Sequence, residues 1–164
     1  MEQITGSIKQ GGWDAVCILG PTASGKTRFA VELARTLSAQ WKPCEILSAD
    51  SRQVYRGMDI GTGKDLAEYG EVPVHLVDIV DAGTKYNIFE YQRDFSKAYT
   101  NILERGCFPI ICGGSGLYIE AATRGYELYE VLPDEELRAG GDQGFHQPDT
   151  ILSGLAPSFP DQPV

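Results

Sequence analysis

Residues 20–27 read GPTASGKT and follow directly on the apolar run Ala15-Val16-Cys17-Ile18-Leu19. The pattern GxxxxGK(S/T) behind such a run constrains the fold more than any other stretch. A buried parallel strand must stop at Gly20, and the chain must restart as a helix near Lys26. A turn of this kind aims several backbone N–H groups at one concavity, and the helix N-terminus adds partial positive charge there, so the concavity is an anion cradle. Gly20 and Gly25 permit the tight path, and Pro21, Thr22, Ala23 and Ser24 supply the backbone between them. Lys26 reaches the outer phosphates, and the Thr27 hydroxyl suits a magnesium ion.

With 164 residues, the chain is long enough for one domain with a substantial core. At 42% hydrophobic and 23% charged it reads as soluble and globular. No apolar run approaches bilayer length, and the opening MEQITGSIKQGGWDAV lacks a basic stretch followed by an apolar one, so a cytoplasmic location is expected. Cys17, Cys44, Cys107 and Cys112 form no CxxC pair; they read as free core thiols, with Cys17 and Cys112 inside buried strands. The net charge of −9 is uneven: residues 1–64 sum to +2, residues 65–139 to −8, and the tail from Gly140 to −3. No broad basic surface of the kind that holds nucleic acid is present, so attraction for RNA must come from elsewhere.

Strands and helices alternate along the chain. Phe29, Ala30, Leu33, Ala34 and Leu37 form one stripe of a helix over 26 to 40, and a second strand follows at 45–48. The polar, glycine-dotted stretch 50–70 is too long for an ordinary connection, which marks it as functional. A third strand is expected over 74–79. A helix follows from 88 to 105, with Asn87 as N-cap, Glu90 completing a capping box, the stripe Ile88, Tyr91, Phe95, Ala98, Ile102, and Gly106 as stop. A fourth strand at 108–112 runs into Gly113-Gly114-Ser115-Gly116 and a short helix through Thr123. This alternation implies a P-loop NTPase-like α/β fold, a parallel sheet with right-handed crossovers and helices on both faces. Residues 1–13 read as an N-terminal extension, 14–139 as the core, and 140–164, rich in Gly, Pro, Asp and Gln, as a disordered tail. His146 in that tail has no partner at ligand spacing.

Ligands of open parallel sheets bind outside the carboxyl ends of the strands. That rule brings the phosphate loop, Asp50 beyond the second strand and the turn 113–116 onto one rim. A carboxylate near bound phosphate is repelled unless a metal or a proton-bearing substrate intervenes, so Asp50 suits acceptance of a proton from a nucleophile. A turn cap is the other role open to it.

The segment Asp50-Ser51-Arg52-Gln53-Val54-Tyr55, continuing through Gly57-Met58-Asp59-Ile60-Gly61-Thr62 to Lys64, resembles the signature of the tRNA dimethylallyltransferases, also called tRNA isopentenyltransferases. GPTASGKT, VHLVDIVD at 74–81, FEYQRDF at 89–95 and GGSGLYI at 113–119 stand in that family's order, and the resemblance covers residues 14 to about 139. It implies transfer of a dimethylallyl group from dimethylallyl diphosphate to the exocyclic N6 of an adenine beside the tRNA anticodon. The phosphate loop would hold the pyrophosphate, with ATP binding a possible label for the same loop. Lys26, Thr27 and Mg2+ would stabilise the departing charge, Thr22 would reach the bridging oxygen, and Asp50 would take the N6 proton. Ser51, Arg52 and Gln53 would line the adenine pocket, and Ser115, where the family usually has threonine, would contact RNA.

The family's chain is about twice as long, and the resemblance fades after Pro133-Asp134-Glu135-Glu136-Leu137-Arg138, as a truncation or a shifted frame would produce. The resemblance implies that the half of the family chain expected to grip RNA has no counterpart in these 164 residues. A monomer without membrane contact is expected. Competing readings are a small-molecule kinase, for which no compact basic lid is visible, transfer of the same group to free adenine nucleotides, and an inactive phosphate-binding fragment. Arg93 and Arg105 read as solvated or paired at helical spacing, His75 as packed or hydrogen-bonded, and Tyr86, Phe89, Tyr91, Phe95 and Tyr99 as helix-packing aromatics.

Overall fold

The computed structural model describes residues 1–59, 64 and 66–124. The chain divides into units Met1–Leu128 and Tyr129–Val164. All described residues belong to the first unit, so the expected tail lies outside them. The elements are α1 (Glu2–Gln10), β1 (Val16–Leu19), α2 (Lys26–Gln40), β2 (Cys44–Ser48), α3 (Leu66–Tyr69), β3 (Val74–His75), α4 (Ile88–Glu104), β4 (Phe108–Gly113) and α5 (Gly116–Arg124). The four strands form one parallel sheet in the order β1-β4-β2-β3.

Alternation along β2 and β4 splits the core into two layers. Cys44 and Ile46 of β2 and Phe108, Ile110 and Cys112 of β4 meet Ala30, Val31, Leu33, Ala34 and Leu37 of α2. Leu47 and Ile111 face Tyr91, Phe95 and Ile102 of α4 and Tyr118 and Ala121 of α5. Helices therefore cover both faces, as the alternation predicted. The α4 capping box forms as read: the Asn87 side chain accepts from the Phe89 and Glu90 amides, and Glu90 accepts from the Asn87 amide at 2.8 Å. Residues 1–13 carry an unpredicted helix: α1 buries Ile8 in the α2 layer, and Lys9 donates to Gln40 at 2.7 Å.

Several expectations need correction. The third strand ends at His75 rather than 79, because Leu76 and Asp78 take positive φ of 65° and 55°. The backbone beyond them pairs with the loop after β2 instead: the Asp78 amide donates to the Gln53 carbonyl, Ile79 and Val80 to Val54, and Arg56 to Val80. β1 is not a buried strand. Among the described strands it is an edge whose neighbour is β4, so Cys17 is exposed and Leu19 is 59% accessible, while Cys112, on β4, is buried. Phe29 stays at the rim of α2, and Val31 takes its place in the core.

Arg105 is paired, but across the fold rather than at helical spacing. Its guanidinium forks onto both carboxylate oxygens of the buried Glu45, which also meets His75 Nε2 at 2.6 Å. Arg93 pairs with its neighbour Asp94 at 2.9 Å. Tyr91 is fully buried, stacks on Tyr118 at 4.1 Å and donates to the Ser48 carbonyl, a packing role as read.

Candidate phosphate and acceptor site

β1 and β4 are neighbours, yet their following helices leave on opposite faces, α2 into one core layer and α5 into the other. Their carboxyl ends therefore flank a switch point, where a crevice opens. Glycine lets the carboxyl end of β4 approach both the residue after β2 and the residue after β1. A Cβ on Gly113 would sit 2.2 Å from the Ala49 carbonyl oxygen, and one on Gly114 would sit 2.9 Å from that of Gly20. Gly113→Ala is accordingly expected to destabilise the fold by about 1–3 kcal/mol. Gly116→Ala, with open space around its Cβ, should stay within about 0.5 kcal/mol of the parent. Equal melting temperatures for the two variants would refute this close approach.

The phosphate loop folds tightly at the crevice. Gly25 takes φ of 77° as α2 begins, and the Ser24 amide donates to the Pro21 carbonyl at 3.3 Å. Lys26 Nζ lies back over the loop and donates to the same carbonyl at 3.2 Å. Its stem also lies against the second turn, with Cε and Nζ 3.7 Å from the Cβ position of Gly114.

Thr22, Ala23, Gly25, Lys26, Thr27, Asp50, Gln53 and Glu68 line a pocket of about 300 Å³. It unites the loop after β1 with Asp50 beyond β2. Asp50 acts as a turn cap: its Oδ1 accepts the Arg52 amide at 3.0 Å and its carbonyl accepts the Gln53 amide. A cap of this sort occupies one carboxylate oxygen, so the role does not exclude proton acceptance by the other. Gln53 is buried, and its Oε1 accepts from Ser48 Oγ at 2.9 Å. Ser115 Oγ accepts the Ser51 amide at 3.0 Å and donates to Ser51 Oγ at 3.2 Å, tying the turn after β4 to the loop after β2. Arg52 is exposed.

A pocket residue and its neighbour carried no signal in the sequence. Glu68 adds a second carboxylate to the pocket, and the next residue, Tyr69, is buried. Burial, joined by the nearby charges of Glu68 and Asp50, pushes the Tyr69 hydroxyl up, so it stays protonated. Both sit on the single turn of α3, too short to show a hydrophobic period.

Among the described residues no three His, Cys, Asp or Glu side chains form a metal cage. The donors in the pocket are hard oxygens: the Thr27 hydroxyl and the Asp50 and Glu68 carboxylates. That set fits magnesium, which is usually held by one or two carboxylates, phosphate oxygens and retained waters.

A parallel sheet with this loop at its switch point defines a P-loop-like α/β phosphate-binding fold. A family model described as IPP transferase matches residues 53–155, and the chain belongs to that family. It is 60% identical over 126 residues to tRNA dimethylallyltransferase 1 of Geotalea daltonii, covering 77% of this chain and 39% of that one. It is 56% identical over 130 residues to tRNA dimethylallyltransferase 2 of Bacteroides fragilis, covering 77% and 41%. The crystal structure of the full-length tRNA isopentenylpyrophosphate transferase from Bacillus halodurans is similar with a TM-score of 0.66 at 41% identity, over 78% of this chain and 41% of that one. The chain thus spans about two fifths of the length of these relatives. No described helix is long and apolar enough to cross a membrane.

Proposed function

We propose that this chain carries the diphosphate-holding and proton-accepting part of a tRNA dimethylallyltransferase site. The observation that carries the reading is the meeting of Lys26, Thr27 and Asp50 in one pocket, with Ser115 fastened to the loop that bears Asp50. In the reaction, the allylic C–O bond breaks and its electron pair leaves with the diphosphate. The N6 lone pair of adenine forms the new C–N bond, and the N6 proton passes to Asp50.

The loop amides, Lys26 and Thr27 hold the diphosphate where its charge grows. Lys26 must first release the Pro21 carbonyl. Magnesium supplies further charge neutralisation, which the two carboxylates facing this pocket make necessary for an anion. In this reading Thr22, which lines the pocket, would contact the bridging oxygen, and Ser51, Arg52 and Gln53 with Ser115 would form the acceptor side. The partners in this reading are dimethylallyl diphosphate and tRNA. ATP is the other anion to which the loop is suited, and the setting is a cytoplasmic monomer.

Calorimetric titration of the full chain with dimethylallyl diphosphate and with ATP, each with magnesium, tests the reading. The allylic diphosphate is expected to bind more tightly. A preference for ATP, with phosphorylation of a small acceptor, would replace it with a kinase. Lys26→Ala is expected to weaken diphosphate binding about 10- to 100-fold, as loss of a charge-assisted hydrogen bond does. An unchanged affinity would show that the loop is not the site.

A further inference from the structure

Lys64 belongs to the motif that carried the family resemblance, yet it contributes nothing to the phosphate pocket. Its side chain is 0% exposed, in a protein whose other charged heads mostly reach water. An ammonium has three N–H donors and no acceptor. Here all three are used: Asp59 Oδ1 at 2.7 Å, Asp78 Oδ1 at 2.5 Å and the Tyr55 carbonyl at 3.0 Å. Nothing remains for a phosphate, so Lys64 is no substrate ligand.

Its partners bracket the acceptor loop. Tyr55 and Asp59 lie on the far side of the segment that begins at Asp50, and Asp78 lies on the chain beyond β3. The same two segments pair through the Gln53, Val54 and Arg56 backbone, and Arg56 reaches Asp81 at 2.9 Å and the Ile79 carbonyl at 3.3 Å. Asp78 itself stands at φ of 55°, a conformation that costs energy unless the surroundings impose it.

We propose that Lys64 is a positioning residue: its enclosed ammonium latches residues 50–59 onto 78–81 and so fixes Asp50, Ser51 and Gln53 relative to the phosphate loop. A buried charge is costly unless every donor is matched, and that penalty makes the latch all-or-none. Burial alone would pull the Lys64 ammonium down, but the hydrogen bonds and charges of Asp59 and Asp78 outweigh it and hold it protonated.

The inference rests on the proposed transfer reaction for its kinetic consequence and is independent of it for its structural one. The test is amide hydrogen exchange on the full chain carrying Lys64→Met, with α2 as internal reference. The expected result is loss of protection, about 10-fold or more, at the amides of Arg52, Gln53, Arg56 and Asp78, with α2 unchanged. Uniform loss throughout the chain would reduce Lys64 to a general stabiliser and overturn the proposal, and so would unchanged exchange at those four amides. Should Lys64→Met not fold, Asp59→Asn keeps the Asp78 contact and is read in the same way. If the parent chain transfers the prenyl group, kcat should fall about 10- to 100-fold in the variant. The KM for dimethylallyl diphosphate should hold within about 2-fold, and a rise in that KM with kcat intact would refute the assigned role. A parent chain without activity, by contrast, counts against the proposed function and leaves the exchange result to decide the latch.

Discussion

Asp50→Ala is expected to lower prenyl transfer by about 10²- to 10⁴-fold, the usual worth of a positioned general base. The affinity for dimethylallyl diphosphate should stay within about 3-fold. The asymmetry follows from the charges: in the proposed reading the carboxylate repels the diphosphate, and Thr27 and Glu68 remain as donors for magnesium, so its removal is not expected to weaken anion binding. Alanine also deletes the turn cap on the Arg52 amide, seen at 3.0 Å, and so tests two roles at once. Asp50→Asn separates them, because the amide oxygen still accepts from Arg52 while the side chain no longer takes a proton. If single-turnover transfer by the asparagine variant matches that of the parent, Asp50 is a cap alone.

The second large effect concerns stability and lies near the amino end of β2, away from the pocket. Arg105→Ala strips the guanidinium fork from Glu45, which is 4% exposed, and leaves it against His75 Nε2. Stranding a buried carboxylate is destabilising, and because Arg105 is itself 44% exposed, water takes part of its place, so a fall of roughly 5 °C in melting temperature is expected. Burial by itself would raise the Glu45 carboxyl, but Arg105 and His75 more than offset it and hold it at about 2, against an ordinary 4.5. A depressed carboxyl stabilises fully above its unfolded value and loses that contribution as pH falls through the folded one. The variant's carboxyl, without the guanidinium, is protonated at a higher pH than the parent's, so the difference between parent and variant should narrow as pH falls toward about 2. Urea unfolding at pH 7 and pH 3.5 measures it, and a gap that does not narrow would remove Glu45 as the cause.

What the sequence made legible was local. The turn of the phosphate loop, the α2 stripe and the Asn87–Glu90 box depend on residues within one or two turns of each other, and they form as read but for Phe29, whose place Val31 takes. The early end of β3 was hidden because Leu76 is no usual occupant of a left-handed backbone. What holds it there is pairing with residues 53–56, remote in sequence. Cys17 and Leu19 were misjudged for a related reason: an apolar run announces a strand but not how many neighbours flank it. The Arg105 partner lies on β2, remote in sequence, and Glu68 reaches the pocket from a polar stretch without period. At the site itself, spacing anticipated the meeting of loop and Asp50. It did not anticipate that Ser115 would spend its hydroxyl on Ser51.

The placement of β4 between β1 and β2 also dictates an order of assembly. Val16 pairs with Ile110 and Cys44 with Phe108, so β1 and β2 meet only through a strand made much later. As the chain leaves the ribosome, the phosphate loop emerges early, with no ladder to anchor its strand. Contacts this distant are slow to close, because loop entropy is lost before pairing rewards it. Until β4 docks, the edge of β1 is an open template for other strands. Substrate anions that recognise the finished crevice would then act as late folding ligands, drawing the equilibrium toward the docked sheet by mass action.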